Sequence, residues 1–311
     1  MSLARRYDLI IIGGGPAGMT AGIYAARKKL KTLILTRSIG GQAALSSDIE
    51  NYTGFAMVSG ADLTHKFEQH LEEFKDDVEL RLISGGVESI HEVDSGFEVR
   101  LDGGEREVAR AVIIASGRVP RQLGVEGEEK FLNRGVTYCA WCDGPLFAGR
   151  DVAIIGGGNS AVDAALSAAK IANMIYVINI DTELTAEKLM VDKAKQAHNI
   201  RIINQAELKK IEGAKFVNSI TILDNTAGIE KDLPVTGVFI EVGSVAATDY
   251  LRGLVKCNQD DEILIDKNNM TNIAGIFAAG DVTEVIEKQI IVAAGEGAKA
   301  AIAASRWLAK R

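Results

Sequence analysis

The 311-residue chain contains only four prolines and three cysteines, and 5% of its residues are aromatic. So few prolines exclude a linker-rich chain, and three cysteines cannot staple a secreted disulfide framework. A reducing, cytoplasmic setting is therefore expected. Basic residues are outnumbered, 35 against 42 acidic ones, for a net charge of −7. That balance excludes a broad nucleic-acid footprint and a polybasic membrane patch. Plain apolar runs are missing too. The longest charge-free stretch, Leu9 to Ala26, is interrupted by Gly13, Gly14, Gly15, Pro16, Gly18 and Gly22, so no membrane span is expected. Arg5 and Arg6 precede an apolar run, but no small-residue cleavage site follows, and no targeting leader is expected.

Glycine, by contrast, is plentiful at 32 residues, which suggests tight loops inside packed α/β units. Asp8–Thr36 aligns without gaps on Asp151–Asn179, at an offset of 151 − 8 = 143. Each copy reads as an apolar strand, a glycine turn, an alanine-rich helix and a second apolar strand. That is a βαβ unit, whose parallel strands need a crossover helix. Two copies this far apart imply two α/β nucleotide-binding domains and exclude a short-period solenoid. Further strands are expected at Ala111–Ala115, Val238–Val242, Ile263–Ile265 and Ile276–Ala278, with an amphipathic helix from Thr64 to Asp76 presenting Phe67, Leu71 and Phe74.

Gly13, Gly15 and Gly18 complete G-x-G-x-x-G directly after the first strand, and Gly156, Gly158 and Ala161 give G-x-G-x-x-A in the second copy. The first glycine of such a motif makes the tight turn, and the second lets a pyrophosphate approach the backbone. The third position lets helix and strand pack closely. An acidic ribose partner about 20 residues on is missing from both copies, where Thr36 and Asn179 stand. After Asn179 come Ile180, Asp181, Thr182 and Glu183, with no Lys or Arg before Lys188. A ribose 2′-phosphate wants a cationic clamp, so this segment argues against NADPH. Asp181 or Glu183 is the candidate for the ribose hydroxyls of NADH; the alternative is a domain that has given up nicotinamide binding.

Cys139-Ala140-Trp141-Cys142-Asp143 is the chemical centre. A pair at this spacing can form a small redox disulfide or supply half of a zinc site. The other candidate ligands, Cys257 and His65, His70, His91 and His198, lack ligand spacing, which favours dithiol chemistry and no metal. Asp143 is placed either to move the proton of thiol–disulfide exchange or to cap a turn. Cys257 reads as incidental.

With CAWCDG between two fingerprints, the sequence resembles the low-molecular-weight thioredoxin reductase family, a group of FAD-dependent pyridine nucleotide-disulfide oxidoreductases. The resemblance runs over essentially the whole chain. It includes Gly40-Gly41-Gln42, Ile49-Glu50-Asn51-Tyr52, Gly144-Pro145-Leu146-Phe147, Gly275 to Asp281 and Lys288-Gln289-Ile290-Ile291. Within that family the motifs are most similar to the flavoprotein module of alkyl hydroperoxide reductase. With the first fingerprint at residue 13, a freestanding reductase of a separate thioredoxin- or glutaredoxin-like protein is expected.

The resemblance implies two Rossmann-like domains, the second inserted into the first: residues 1–116 and 243–311 for FAD, and 117–242 for NAD(P) and the cysteine pair. Gly13, Gly15 and Gly18 would hold the FAD pyrophosphate, Asp281 its ribityl chain, and Gln42, Asn51, Gln289 and Ile290 the flavin. Gly156, Gly158, Asn159, Ser160 and Asp181 would meet the nicotinamide nucleotide. Cys142 would be the flavin-proximal thiol, Cys139 the one attacking the partner disulfide, and Asp143 the acid–base group. Gly117 and Gly243 stand where the chain would cross between domains that rotate, and a homodimer is implied.

The sequence also departs from the family. Members using NADPH carry a His-Arg-Arg clamp where Asn179-Ile180-Asp181 stands, and the NADH-using flavoprotein has a Glu at Asn179. Ala246 replaces a usual proline. Three readings remain open: a nicotinamide-driven disulfide reductase with NADH favoured, the same flavin–dithiol relay driven by ferredoxin or another carrier, and a non-catalytic redox or nucleotide sensor.

Overall fold

The computed structural model describes residues 6–46 and 49–311; the side chains of Arg6, Trp141 and Cys142 lie outside the described set. The chain divides into two units, Met1–Val119 with Val245–Arg311, and Pro120–Ser244. The crossings thus fall three and two residues beyond the sequence-based boundaries at 116 and 242.

The first segment runs β1 (Arg6–Ile12), α1 (Pro16–Ala26), β2 (Thr32–Thr36), α2 (Gly60–Glu72), β3 (Val78–Leu82), β4 (Val87–Val93), β5 (Gly96–Leu101) and β6 (Arg106–Ile114), reaching the first crossing in β7 (Arg118–Pro120). The inserted unit holds β8 (Val136–Thr137), α3 (Ala140–Asp143), β9 (Asp151–Ile155), α4 (Asn159–Ala168), β10 (Met174–Ile178), α5 (Lys188–Gln196) and β11 (Ile200–Ile203). It continues through β12 (Ala206–Gly213), β13 (Val217–Asp224), β14 (Ile229–Leu233) and β15 (Gly237–Ile240). The chain returns through β16 (Ser244–Ala246) to β17 (Ile276–Ala278) and α6 (Ile290–Leu308). The crossing segments β7 and β16 pair with each other, which carries the chain past Gly117 and Gly243 before it changes unit.

The first unit is built on a sheet ordered β3-β2-β1-β6-β5-β4, with β17 also on β6. Strands β1, β2, β3, β6 and β17 are mutually parallel, and β4–β5 is an antiparallel extension. Parallel strands are covered on both faces, which is why Leu9–Ile12 and Leu33–Leu35 are unbroken apolar runs. Leu9, Ile11 and Ile113 pack under α1 and α6, while Ile10, Val112 and Ile114 face a second cluster with Leu251, Val255 and Ile276. Alanine dominates the α1 and α6 contacts because the helices run close together; a Cβ on Gly297 would sit 2.1 Å from the Ala17 carbonyl oxygen.

The inserted unit repeats the plan with a parallel sheet ordered β11-β10-β9-β15-β8, plus an antiparallel β12-β13-β14 layer. In both copies of the repeat, the glycine turn follows the strand at the carboxyl edge of the sheet, where ligands of open α/β sheets bind.

The sequence placed two elements wrongly. The expected helix Thr64–Asp76 lies at Gly60–Glu72, because the Ser59 hydroxyl accepts the Asp62 N–H and sets the start earlier. Phe74 falls in the turn after it, where it still packs on the core. Ile263–Ile265 forms no strand; Ile263 makes only isolated bridges to Cys257 and Thr283. The preceding turn is closed by Asn258 Oδ1, which accepts the Asp260 and Glu262 N–H groups. Among the described residues, no helix is long and apolar enough to cross a membrane.

Candidate functional site

The first fingerprint has the form a dinucleotide pyrophosphate needs. Gly13 adopts φ +117°, and a Cβ there would lie 2.1 Å from the Ala115 carbonyl oxygen, so the strand-to-helix turn admits only glycine. A Cβ on Gly18 would strike the Gly13 oxygen at 1.9 Å, while Gly15 faces open space. Gly15 caps α1, and Pro16 starts it with no side chain to fill its N-terminus. An open backbone donor end of an eleven-residue helix is where a pyrophosphate is favoured. The motif therefore fits FAD.

The residues expected around a flavin come together in the same unit. Asn51 Nδ2 donates to Gln289 Oε1 at 3.0 Å, across 238 positions of sequence. Gln289 caps α6, and Ile290 begins it while packing with Tyr52, Phe55 and Phe67 on Ile49, Val58 and Leu63. Gln42 Nε2 donates to the Arg118 carbonyl at 2.7 Å. Arg118 and Lys288 both reach Glu262 Oε1, at 2.8 and 3.0 Å. Burial pushes the Glu262 carboxyl up, but the Asn258 hydrogen bond and these two cations hold it below the usual carboxylate range. The same cations face Asp281, whose carboxyl is nevertheless raised because burial outweighs them. Arg118 and Glu262 were not singled out from sequence, since their pairing spans 144 positions.

In the second copy, Gly156 repeats Gly13. It has φ +137°, and a Cβ would lie 2.3 Å from the Glu241 carbonyl oxygen. Gly158 caps α4, as Gly15 caps α1. Asn159 and Ser160 are exposed in the first turn of α4. Asn159 Oδ1 accepts the Glu187 N–H at 2.8 Å, and the Thr185 N–H bonds to the Gly157 oxygen.

The structure also shows what replaces the acidic ribose partner. Asn179 is buried, 1% exposed, and its amide donates to the Asp181 and Glu183 carbonyls and to Asn204 Oδ1. Its Oδ1 packs so closely that a Cβ on Gly157 would lie 2.2 Å away. Thr36 behaves alike: its hydroxyl accepts the Gly14 N–H and donates to the Ser38 oxygen. Both residues close their own turn. Asp181 leaves its side chain exposed and contributes its backbone to the Asn179 network.

Cys139 lies between β8 and α3, and its sulfur is engaged in a disulfide. The side chain of Cys142, its expected partner, lies outside the described residues. Thr137 is buried; its hydroxyl accepts the Cys139 N–H at 3.1 Å and donates to Asp143 Oδ2 at 2.5 Å. Upstream, Tyr138 donates to Glu128 Oε1 at 2.7 Å. The buried Glu128 carboxylate also accepts the Leu123, Gly124 and Val125 N–H groups, tying the redox turn to the loop that leads into the unit. Thr137 and Glu128 escaped the sequence reading because neither type is distinctive without its partners. Cys257 is a free, half-buried thiol pushed up first by burial and then by Asp261, an unreactive setting. Among the described residues, no cluster of three His, Cys, Asp or Glu side chains could hold a metal.

Two glycine turns on parallel sheets and a CxxC turn in the second unit define a dinucleotide-dependent oxidoreductase fold. Residues 7–297 match the family model described as pyridine nucleotide-disulphide oxidoreductase, and the chain belongs to that family. It is 38% identical over 302 residues to NADH dehydrogenase of Bacillus subtilis (strain 168), covering 97% of this chain and 58% of that protein. It is equally identical over 302 residues to a subunit of the alkyl hydroperoxide reductase of Staphylococcus aureus (strain MRSA252), covering 97% of this chain and 59% of that one. The chain therefore spans less than two thirds of the length of these curated relatives. Among solved structures, thioredoxin reductase of Lactococcus lactis (FR conformation) matches with a TM-score of 0.86 at 34% identity, covering 98% of this chain and 100% of that one. These likenesses agree with the thioredoxin reductase resemblance and with a fold of two dinucleotide-binding domains, one inserted in the other.

Proposed function

We propose that the chain is an FAD-dependent disulfide reductase. It takes electrons from a nicotinamide nucleotide, NADH rather than NADPH, and delivers them through the Cys139–Cys142 pair to a thioredoxin- or glutaredoxin-like protein. The observation that carries this reading is the redox turn: a disulfide-bonded Cys139 whose N–H shares the Thr137 hydroxyl with Asp143. A non-catalytic sensor need not keep both the cysteine pair and the carboxylate that Thr137 holds beside it.

Gly13, Gly15 and Gly18 would hold the FAD pyrophosphate, Asp281 the ribityl chain, and Gln42, Asn51, Gln289 and Ile290 the flavin. Bound there, FAD would accept an electron pair from a nicotinamide and make it available to a disulfide. The chain's own residues do the rest. Gly156, Gly158, Asn159 and Ser160 receive the nucleotide at the start of α4, whose N-terminus favours phosphate. Asp143 holds the proton exchanged at sulfur, Cys139 attacks the partner disulfide, and Cys142 closes the pair again. Gly117 and Gly243, both with positive φ and room around the α-carbon, serve as hinges.

NADH is favoured because the exposed Asp181 and Glu183 would repel a 2′-phosphate and no Lys or Arg lies between Asn179 and Lys188. The Bacillus relative's description as an NADH dehydrogenase points the same way. One observation favours a second reading, in which ferredoxin or another carrier supplies the electrons: Asn179 spends its amide on its own loop and offers nothing to a ribose. Anaerobic mixing of the flavin-loaded protein with NADH and, separately, NADPH distinguishes them. Fast bleaching by NADH supports the proposal; no bleaching by either nucleotide, with full bleaching by dithionite, replaces it with the second reading.

A further inference from the structure

Glu241 is a carboxylate that the proposed relay leaves unused. It is the first residue past β15, its N–H bonding to the Ile155 oxygen at 2.8 Å, so it stands at the carboxyl edge of the inserted sheet. Its carbonyl presses on Gly156 of the second fingerprint. Its half-buried side chain accepts the N–H of Ala140, the peptide that joins Ala140 to Cys139. A carboxylate has room for several donors, so the Ala140 N–H leaves it able to hold a proton as well.

We infer that Glu241 is a positioning and proton-storing residue for the cysteine pair, taking up one of the two protons of disulfide reduction. The inference rests on the disulfide-reductase reading above. When the disulfide receives an electron pair from reduced flavin or from a small dithiol, the S–S bond breaks and two sulfurs take the negative charge. One proton goes to one sulfur. The other sulfur stays thiolate, and the second proton goes to Glu241, whose charge would otherwise oppose the thiolate. Two electrons and two protons enter, and none is left over.

The electrostatic setting supports this. Burial pushes the Glu241 carboxyl up to about 7, against the Ala140 hydrogen bond and with help from Asp163 on α4. On the redox turn itself the titratable groups are Cys139, Cys142 and Asp143, the last held by Thr137. The neighbouring strand ends, Ile155 and Thr137, carry no charge.

The test uses the full chain equilibrated with oxidised and reduced dithiothreitol across neutral pH, with Cys139 trapped by alkylation. In the wild type, reduction should take up one proton below a bend near pH 7 and two above it. Glu241→Gln keeps an acceptor for Ala140 but cannot titrate. It should straighten the curve, so that the two equilibrium constants diverge by about tenfold per pH unit above the bend. Asp163→Asn should move the bend to lower pH. Superposable curves for wild type and Glu241→Gln overturn the proposal and reduce Glu241 to a structural anchor. If Cys139 fails to exchange with dithiothreitol in every variant, the reductase reading itself falls; exchange with an unbent curve removes Glu241 alone.

Discussion

The Thr137 hydroxyl lies 2.5 Å from Asp143 Oδ2 and 3.1 Å from the Cys139 nitrogen. One buried oxygen therefore fixes the redox cysteine's backbone with its lone pair and the neighbouring carboxylate with its proton. Both acts are needed at once, because a general acid–base group works only when held within hydrogen-bond reach of the atom it serves.

Thr137→Val keeps the shape of that residue and removes the hydroxyl. The part-buried Cys139 N–H loses its partner at a cost of about 0.5–1.5 kcal/mol, and Asp143 is no longer aimed. Reduction of a disulfide partner should slow roughly 10- to 100-fold, while flavin content and flavin reduction by the electron donor stay as in the wild type. Unchanged partner turnover would remove Asp143 from the chemistry.

Gly15 and Gly13 separate cofactor binding from folding. Gly15 has φ −80° and nothing within 4 Å of where a methyl would stand, so Gly15→Ala should fold and melt like the wild type. The methyl would occupy the space through which the pyrophosphate approaches, and flavin per chain, read from absorbance, should fall steeply. Gly13→Ala must instead clash with the Ala115 oxygen and should yield little folded protein. A flavin-replete Gly15→Ala would place the cofactor elsewhere.

Asp181 and Asn179 divide specificity from stability. Asp181→Arg adds a cation to an exposed side chain while its backbone goes on serving Asn179. It should raise the preference for NADPH over NADH about tenfold, the value of roughly one charge-assisted hydrogen bond. Asn179→Ala should leave that preference alone and cost about 1–3 kcal/mol in denaturant melts, since a buried amide that donates to two part-buried carbonyls and to Asn204 is removed. An unmoved KM ratio in Asp181→Arg would show that this segment does not read the ribose.

Glu241 also gives stability a pH dependence of definite sign. Its carboxyl is raised from 4.5 to about 7 in the fold, so the native state holds a proton that the unfolded chain has lost. Stability from this group is therefore present below about 4.5 and lost as pH rises to about 7. Melting temperatures of wild type should fall relative to Glu241→Gln across that window. A constant gap between the two would show that Glu241 does not titrate there.

Much of this arrangement was legible in the sequence because it is local or repeated. The offset copies at Asp8 and Asp151 fix two strand–turn–helix units, and CAWCDG marks the redox turn. Ile276–Ala278 is a strand as expected. The β4–β5 and β12–β14 strands went unread, because segments such as Val87–Val93 carry charge and do not alternate cleanly. What the sequence could not show was pairing at a distance: Asn51 with Gln289, Arg118 with Glu262, and Glu241 with Ala140. Asn179 was legible as a missing acid, but its role in closing its own loop depends on Asn204 and on carbonyls that have no sequence signature.

The most direct measurement is an anaerobic dithionite titration of the flavin-loaded protein beside Cys142→Ser. If the cysteine pair is in redox contact with the flavin, the wild type takes up two electron pairs per chain before the flavin is fully reduced, and Cys142→Ser takes up one. Equal uptake of a single pair by both would leave the disulfide outside the electron path and contradict a disulfide reductase.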